Sequence, residues 1–183
     1  MLKKLIGIVL LFTPAFACAQ VSPATRGGGL NLWVGAEYSN FQPDFGFNRL
    51  GGITVVGDVN DVFIKKLGLE GEARWLHFNQ YLGETEANYL GGPRYRLWRH
   101  DGLSVYGKLL LGGGLITFPS KQGNGSYFAY APGGTLEYRL SRRWLARGDY
   151  EYQIWPSAPN LPGLPSHGLT PNGFSLGVSY KIF

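Results

Sequence analysis

Charged residues in this chain recur at intervals of two. Glu70, Glu72 and Arg74 follow one another in that step, as do Arg94 and Arg96, Glu137 and Arg139, and Arg147, Asp149 and Glu151; Glu37, Lys108 and Lys181 stand singly in similar alternating stretches. A step of two puts side chains on one face of a strand. Carboxylates, ammonium groups and guanidiniums gathered on such faces can pair with one another in a packed interior, or they can line a passage for ions. The six acids and seven bases just named are near balance. A filled interior needs that balance, because buried charges left unpaired cost several kcal/mol each.

Catalysis finds less support in the residues. His77, His100 and His167 fall at strand ends or in connectors, far apart along the chain. A hydrolase needs a nucleophile and a base within hydrogen-bond reach and a third group to orient the base. Ser166 and His167 are adjacent, but sequence neighbours rarely make a working pair. No two histidines have metal-ligand spacing, and the carboxylates have basic neighbours, so no metal or other cofactor is expected. The runs Gly51-Gly52, Gly91-Gly92, Gly112-Gly113-Gly114 and Gly133-Gly134 precede no helix. They therefore lack the anion-binding logic of a helix N-terminus, and within strands they read as bends or sites of close backbone approach. Asn124-Gly125-Ser126 matches a glycosylation sequon and is read as a chance match.

Eight strands must position these charges. They read as Leu30–Ser39, Leu50–Val59, Leu67–His77, Ala87–Leu97, Leu103–Leu115, Phe128–Leu140, Trp144–Ile154 and Gly173–Phe183. The alternation is plain in the third, where Leu67, Leu69, Ala73 and Trp75 oppose Glu70, Glu72 and Arg74. It is equally plain in the last, where Phe174, Leu176, Val178, Tyr180 and Ile182 oppose Ser175, Gly177, Ser179 and Lys181. The second strand alternates least clearly. Connectors near 60–66, 98–102 and 141–143 are the shorter ones; those near 40–49, 78–86, 116–127 and 155–172 are longer and rich in Gly, Pro and Asn. Short periplasmic turns and longer external loops have that arrangement. The expected fold is all-β, an eight-stranded antiparallel up-and-down transmembrane barrel with apolar groups toward lipid and polar groups inside. An eight-stranded barrel is just wide enough for side chains to fill.

Composition and the chain's beginning agree with this. Lys3 and Lys4, an apolar run from Leu5 to Phe12, and Ala17-Cys18-Ala19 form the three parts of a secretory signal, so residues 1–19 are expected to be a signal peptide and 20–183 the barrel domain. The apolar run is too short to span a membrane as a helix. Acylation of Cys18 is the weaker alternative, since Ala15 stands where lipoprotein signals usually carry Leu. Cleavage after Ala19 removes the sole cysteine and with it any disulfide or thiolate chemistry. Without Lys3 and Lys4 the 17 basic groups become 15 against 12 acidic, and no basic cluster is longer than Arg142-Arg143, so nucleic acid is not an expected partner. Twenty-eight glycines and the 11 Tyr, 11 Phe and 5 Trp suit many short, closely packed strands.

Gly92-Pro-Arg-Tyr-Arg-Leu97, Gly107-Lys-Leu-Leu-Leu-Gly-Gly113, Leu140-Ser-Arg-Arg-Trp-Leu-Ala-Arg147, Asp149-Tyr-Glu-Tyr-Gln153 and Gly177-Val-Ser-Tyr-Lys-Ile-Phe183 resemble the small outer-membrane beta-barrel family that includes OmpA-like and OmpX-like transmembrane domains. The resemblance covers nearly all of 20–183, without the peptidoglycan-binding domain of full-length OmpA-like proteins. It implies a Gram-negative outer-membrane location reached by secretory export, contact with outer-membrane lipids, a monomer, and an assembly signal read by the barrel-assembly machinery at Gly177, Tyr180, Ile182 and Phe183. The residue between Lys181 and the terminal aromatic departs from the family pattern and puts Ile182, not Phe183, in phase. Outer-membrane lipid A deacylases are eight-stranded barrels of similar size that carry His-x-Ser on a late strand, where this chain reads Asp149-Tyr-Glu-Tyr-Gln-Ile-Trp155. A structural or surface-interaction role is therefore expected, not enzymatic activity. Behind it stand a narrow porin-like channel, a lipid-modifying enzyme, and a periplasmic lipocalin-like carrier whose usual Gly-x-Trp is replaced by Asn31-Leu-Trp33. No residue pattern specifies an extracellular partner.

Overall fold

Alternating apolar and polar residues let each strand present one face to lipid and one to an interior, and hydrogen-bonding every strand on both sides removes the exposed edges. The computed structural model describes residues 31–45, 48–62, 64–80, 83–119, 124–158 and 168–182. The strands are β1 (Asn31–Gln42), β2 (Leu50–Asn60), β3 (Leu67–Phe78), β4 (Thr85–His100), β5 (Leu103–Thr117), β6 (Gly125–Arg139), β7 (Trp144–Tyr152) and β8 (Asn172–Lys181). They close in chain order, every neighbour antiparallel. The seam is the β1–β8 ladder, from Trp33 opposite Lys181 to Gln42 opposite Asn172.

Several strands run beyond the expected bounds because their ladders continue past the apolar stretch. β4 gains Thr85 and Glu86 at one end and Trp98–His100 at the other. Its expected connector from Trp98 shrinks to Asp101-Gly102, both at positive φ (44° and 82°), a backbone twist that suits a two-residue hairpin. The expected contrast of connector lengths is correspondingly weaker: 61–66 on the side of the termini and 79–84 on the other span the same number of residues, while 153–171 is by far the longest. β7 stops at Tyr152, and Ile154 and Trp155 instead make single bridges to Tyr130 and Leu169.

The wall faces outward with large apolar groups. Tyr95, Trp98, Tyr138 and Trp144 sit toward the end that holds the chain termini, and Trp75, Tyr89, Phe128 and Phe174 toward the opposite end; Val34, Val55, Leu109, Leu111, Leu136 and Leu176 are also exposed on the wall. Two aromatic girdles around an apolar band mark a barrel that crosses a bilayer. Among the described residues no helix is long and apolar enough to do so.

Candidate functional site: the charged lumen and its mouth

The inner faces of β1, β2, β3, β4, β5, β6 and β7 bring a single ion-pair network together. Arg147 is its hub. Its guanidinium lies 2.8 Å from Glu37, 3.1 Å from Asp58, 2.8 Å from Glu70 and 2.6 Å from Asp149. Lys108 Nζ lies 2.8–3.2 Å from carboxylate oxygens of Glu70, Glu72, Asp149 and Glu151. Arg94 pairs with Asp58 at 3.0 Å, Glu70 at 3.2 Å and Glu137. Arg74 pairs with Glu72 at 2.8 Å and Glu151 at 3.1 Å, and its Nε donates to the Thr54 hydroxyl. All of these side chains are buried. Each end of the network rests on an aromatic ring: the Arg74 guanidinium lies 4.0 Å from the Phe41 centroid, and that of Arg94 lies 3.8 Å from Tyr106.

Two glycines make the crossing possible. Gly133 lies in register between Lys108 on β5 and Glu151 on β7. A side chain there would come within 3.2 Å of Lys108 Cε, 3.0 Å of Glu151 Cγ and 2.6 Å of the Tyr150 carbonyl. Gly177 lies between Glu37 on β1 and Arg147 on β7, whose bridge passes over it. The reading of strand glycines as sites of close approach describes both.

Toward the opposite end the interior turns apolar. The inward face of β7 runs Arg147, Asp149, Glu151 and then, past the strand, Gln153 and Trp155. Gln153 donates to Glu151 at 3.2 Å, and the Trp155 indole N–H donates to Gln153 at 2.9 Å. The indole is fully buried over Gly114, stacks with Tyr127 and packs with Leu90, Leu110, Ile116, Ala129 and Ala131. Phe41, Leu50 and Leu76 form a second cluster, and Phe45 packs against both. Glu86 is buried in this half, held by Asn88 at 2.8 Å.

The other charges expected inside are not in the closed part. Arg96 is half-buried and 3.4 Å from Asp61, Arg139 is exposed, and Lys181 sits at the rim with its ammonium 6.0 Å from the Trp33 ring. The near balance expected of the lumen is therefore corrected. The buried network holds seven carboxylates (those expected, plus Asp58) and four cations. Asp58 escaped the sequence reading because on β2 Val55 faces out and Val56 faces in, so apolar residues on both faces blur the alternation. At the assembly-signal positions, Tyr180 packs edge-on against Trp144 and accepts a hydrogen bond from Arg143 at 3.0 Å. Ile182 is exposed to the outside. Phe183, the signal segment 1–19, Ser166 and His167 lie outside the described residues. His77 and His100 are exposed at opposite ends of the barrel. Among the described residues no group of His, Cys, Asp and Glu could hold a metal ion.

A closed eight-stranded barrel with two girdles and a polar interior is a transmembrane β-barrel of the outer-membrane type. The chain belongs to the outer membrane protein beta-barrel domain family, which matches residues 8–181, and it is an outer-membrane protein. No curated protein matches it. Among solved structures it is similar to Neisserial surface protein A, with a TM-score of 0.62 and 9% identity over 85% of this chain and 98% of that one. It is also similar to Ail of Yersinia pestis, solved with the heparin analogue sucrose octasulfate (TM-score 0.51, 18% identity, 84% and 97%), and to OprG of Pseudomonas aeruginosa (TM-score 0.55, 12% identity, 84% and 96%). At these identities the likeness is one of fold. The family's pattern of short periplasmic turns and longer external connections puts the Asn31 end of β1 and the Lys181 end of β8 on the periplasmic side.

Proposed function

We propose that the protein is a sealed, non-enzymatic wall element of the outer membrane whose external loops make its surface contacts. The observation that carries this reading is the Arg147–Lys108–Arg94–Arg74 network, which joins the inner faces of seven strands beneath a buried apolar cluster around Trp155. Ion passage would require breaking several buried charge pairs, each costly to separate. On this reading the chain is exported through the secretory pathway, loses residues 1–19, is folded by the barrel-assembly machinery through Gly177, Tyr180, Ile182 and Phe183, and works as a monomer in contact with outer-membrane lipids. The test is conductance of the refolded protein in a planar bilayer. The expected record is flat at the closed level; a steady ohmic conductance would overturn the sealed reading and favour a narrow channel.

A further inference from the structure

The periplasmic mouth of the barrel holds a feature that neither sealing nor surface contact uses. A register shift falls between Arg96 and Trp98 on the β4–β5 ladder. Leu97 and Trp98 consequently both face outward, at 61% and 48% exposure, and the next residue, Arg99, turns to the lumen side. Without the irregularity, strict alternation from Arg94 and Arg96 would have sent Trp98 inward and Arg99 into the lipid headgroups. Re-aiming a side chain is what a bulge does. Arg99 thereby joins Arg96 and, from β6, Arg139 in lining a cavity of about 40 Å³ at the mouth, together with Asn31 and Ser104.

The charges there are unbalanced. Among the described residues Arg99 and Arg139 have no carboxylate partner, and Arg96 has only the partly exposed Asp61. The cavity's own acid, Glu137, is already engaged by Arg94 deeper in the lumen. The cavity holds about three water-sized groups, enough for one oxyanion head and too small for a sugar or a peptide. Guanidiniums present forked donors that match phosphate oxygens two at a time, and the Ser104 hydroxyl adds a neutral donor.

We propose that this mouth is a binding site for a phosphate-class oxyanion approaching from the periplasm, borne either by a small soluble compound or by a phospholipid headgroup. The site depends only on the mouth's geometry and stands apart from the sealed-lumen reading. The test titrates the refolded protein in zwitterionic detergent with inorganic phosphate and pyrophosphate, by calorimetry and by amide chemical shifts. Saturable binding is expected, with shifts at Gly102, Ser104 and Asn31, and the Arg99→Gln/Arg139→Gln double variant should weaken it at least about tenfold. Arg142→Gln, on the β6–β7 turn, should leave it unchanged. Heated and unheated electrophoretic mobility confirms that each variant is folded. Repeating the titration in nanodiscs separates the sources. A headgroup occupant makes phosphatidylglycerol discs weaken phosphate binding relative to discs of a phosphate-free lipid carrying the same negative charge; a soluble occupant gives equal affinity in both. Absence of saturable binding, shifts confined to the external loops, or an equal loss in Arg142→Gln would overturn the proposal.

Discussion

The two halves of the lumen fill the same cylinder by opposite means. The periplasmic half uses long charged side chains laid across glycines and paired with one another, seven carboxylates to four cations. The outer half is built mainly of Trp155, Leu110, Ile116 and Phe41, with Gln153 on the indole N–H and Glu86 held by Asn88. Both are buried, yet their failures should differ in kind. Removing an apolar group leaves a cavity that neighbours can partly close. Removing one ion leaves its partners charged and dry, and no relaxation of the wall supplies a counter-charge.

Substitution can break this contrast. Among the described residues Arg147→Leu leaves Glu37 with no cation and takes one from Asp58, Glu70 and Asp149, which keep Arg94, Lys108 or both. Its cost in urea unfolding from detergent should therefore reach the roughly 3–5 kcal/mol of one broken buried pair. Trp155→Ala should cost about 3 kcal/mol, the lower end for deleting a large aromatic, because the surrounding apolar side chains can partly close the space. Equal losses for the two variants would show that the halves are energetically alike and that the charged half has water within reach. Gly133→Ala sharpens the charged side of the comparison: pressed against Lys108, Glu151 and the Tyr150 carbonyl, it should cost about 1–3 kcal/mol by overpacking. The smallest effect belongs to Arg96→Leu. Its pair with Asp61 is partly exposed, so unfolding should shift by less than about 1 kcal/mol. A large loss there would extend the sealed network down to the mouth.

Strand number, closure and the inward faces of β3 and β7 were legible because charged residues recur at every second position there, with Gly, Ala or an aromatic between them. What stayed hidden has a common physical cause, namely that alternation reports a face only when the two faces differ in polarity. On β2 they do not, and Asp58 was missed. In the outer half of β4 and β5, Leu90 and Leu110 face inward while Tyr89, Leu109 and Leu111 face lipid, so the apolar cluster left no signature. Arg99 was hidden by a bulge, which changes phase by one residue and has no reliable composition of its own. The placement of Arg139 and Lys181 at the mouth reflects tilt and strand ends, which a face assignment does not encode.

The hub of the charged half also constrains the order of events in folding. Arg147 lies on β7, whereas Glu37, Asp58 and Glu70 lie on β1, β2 and β3. Asp58 and Glu70 can already meet Arg94 on β4. Among the described residues Glu37 has only Arg147, and it meets that partner after nearly the whole chain has been delivered and the first and last strands approach each other. A curl of the first few strands in lipid would carry Glu37 with no base to answer it, and loop closure over such a separation gains nothing until the contact forms. Electrostatics thus penalises the half-made cylinder and favours the closed one. The Glu37–Arg147 pair is completed only when β8 closes the seam between β7 and β1.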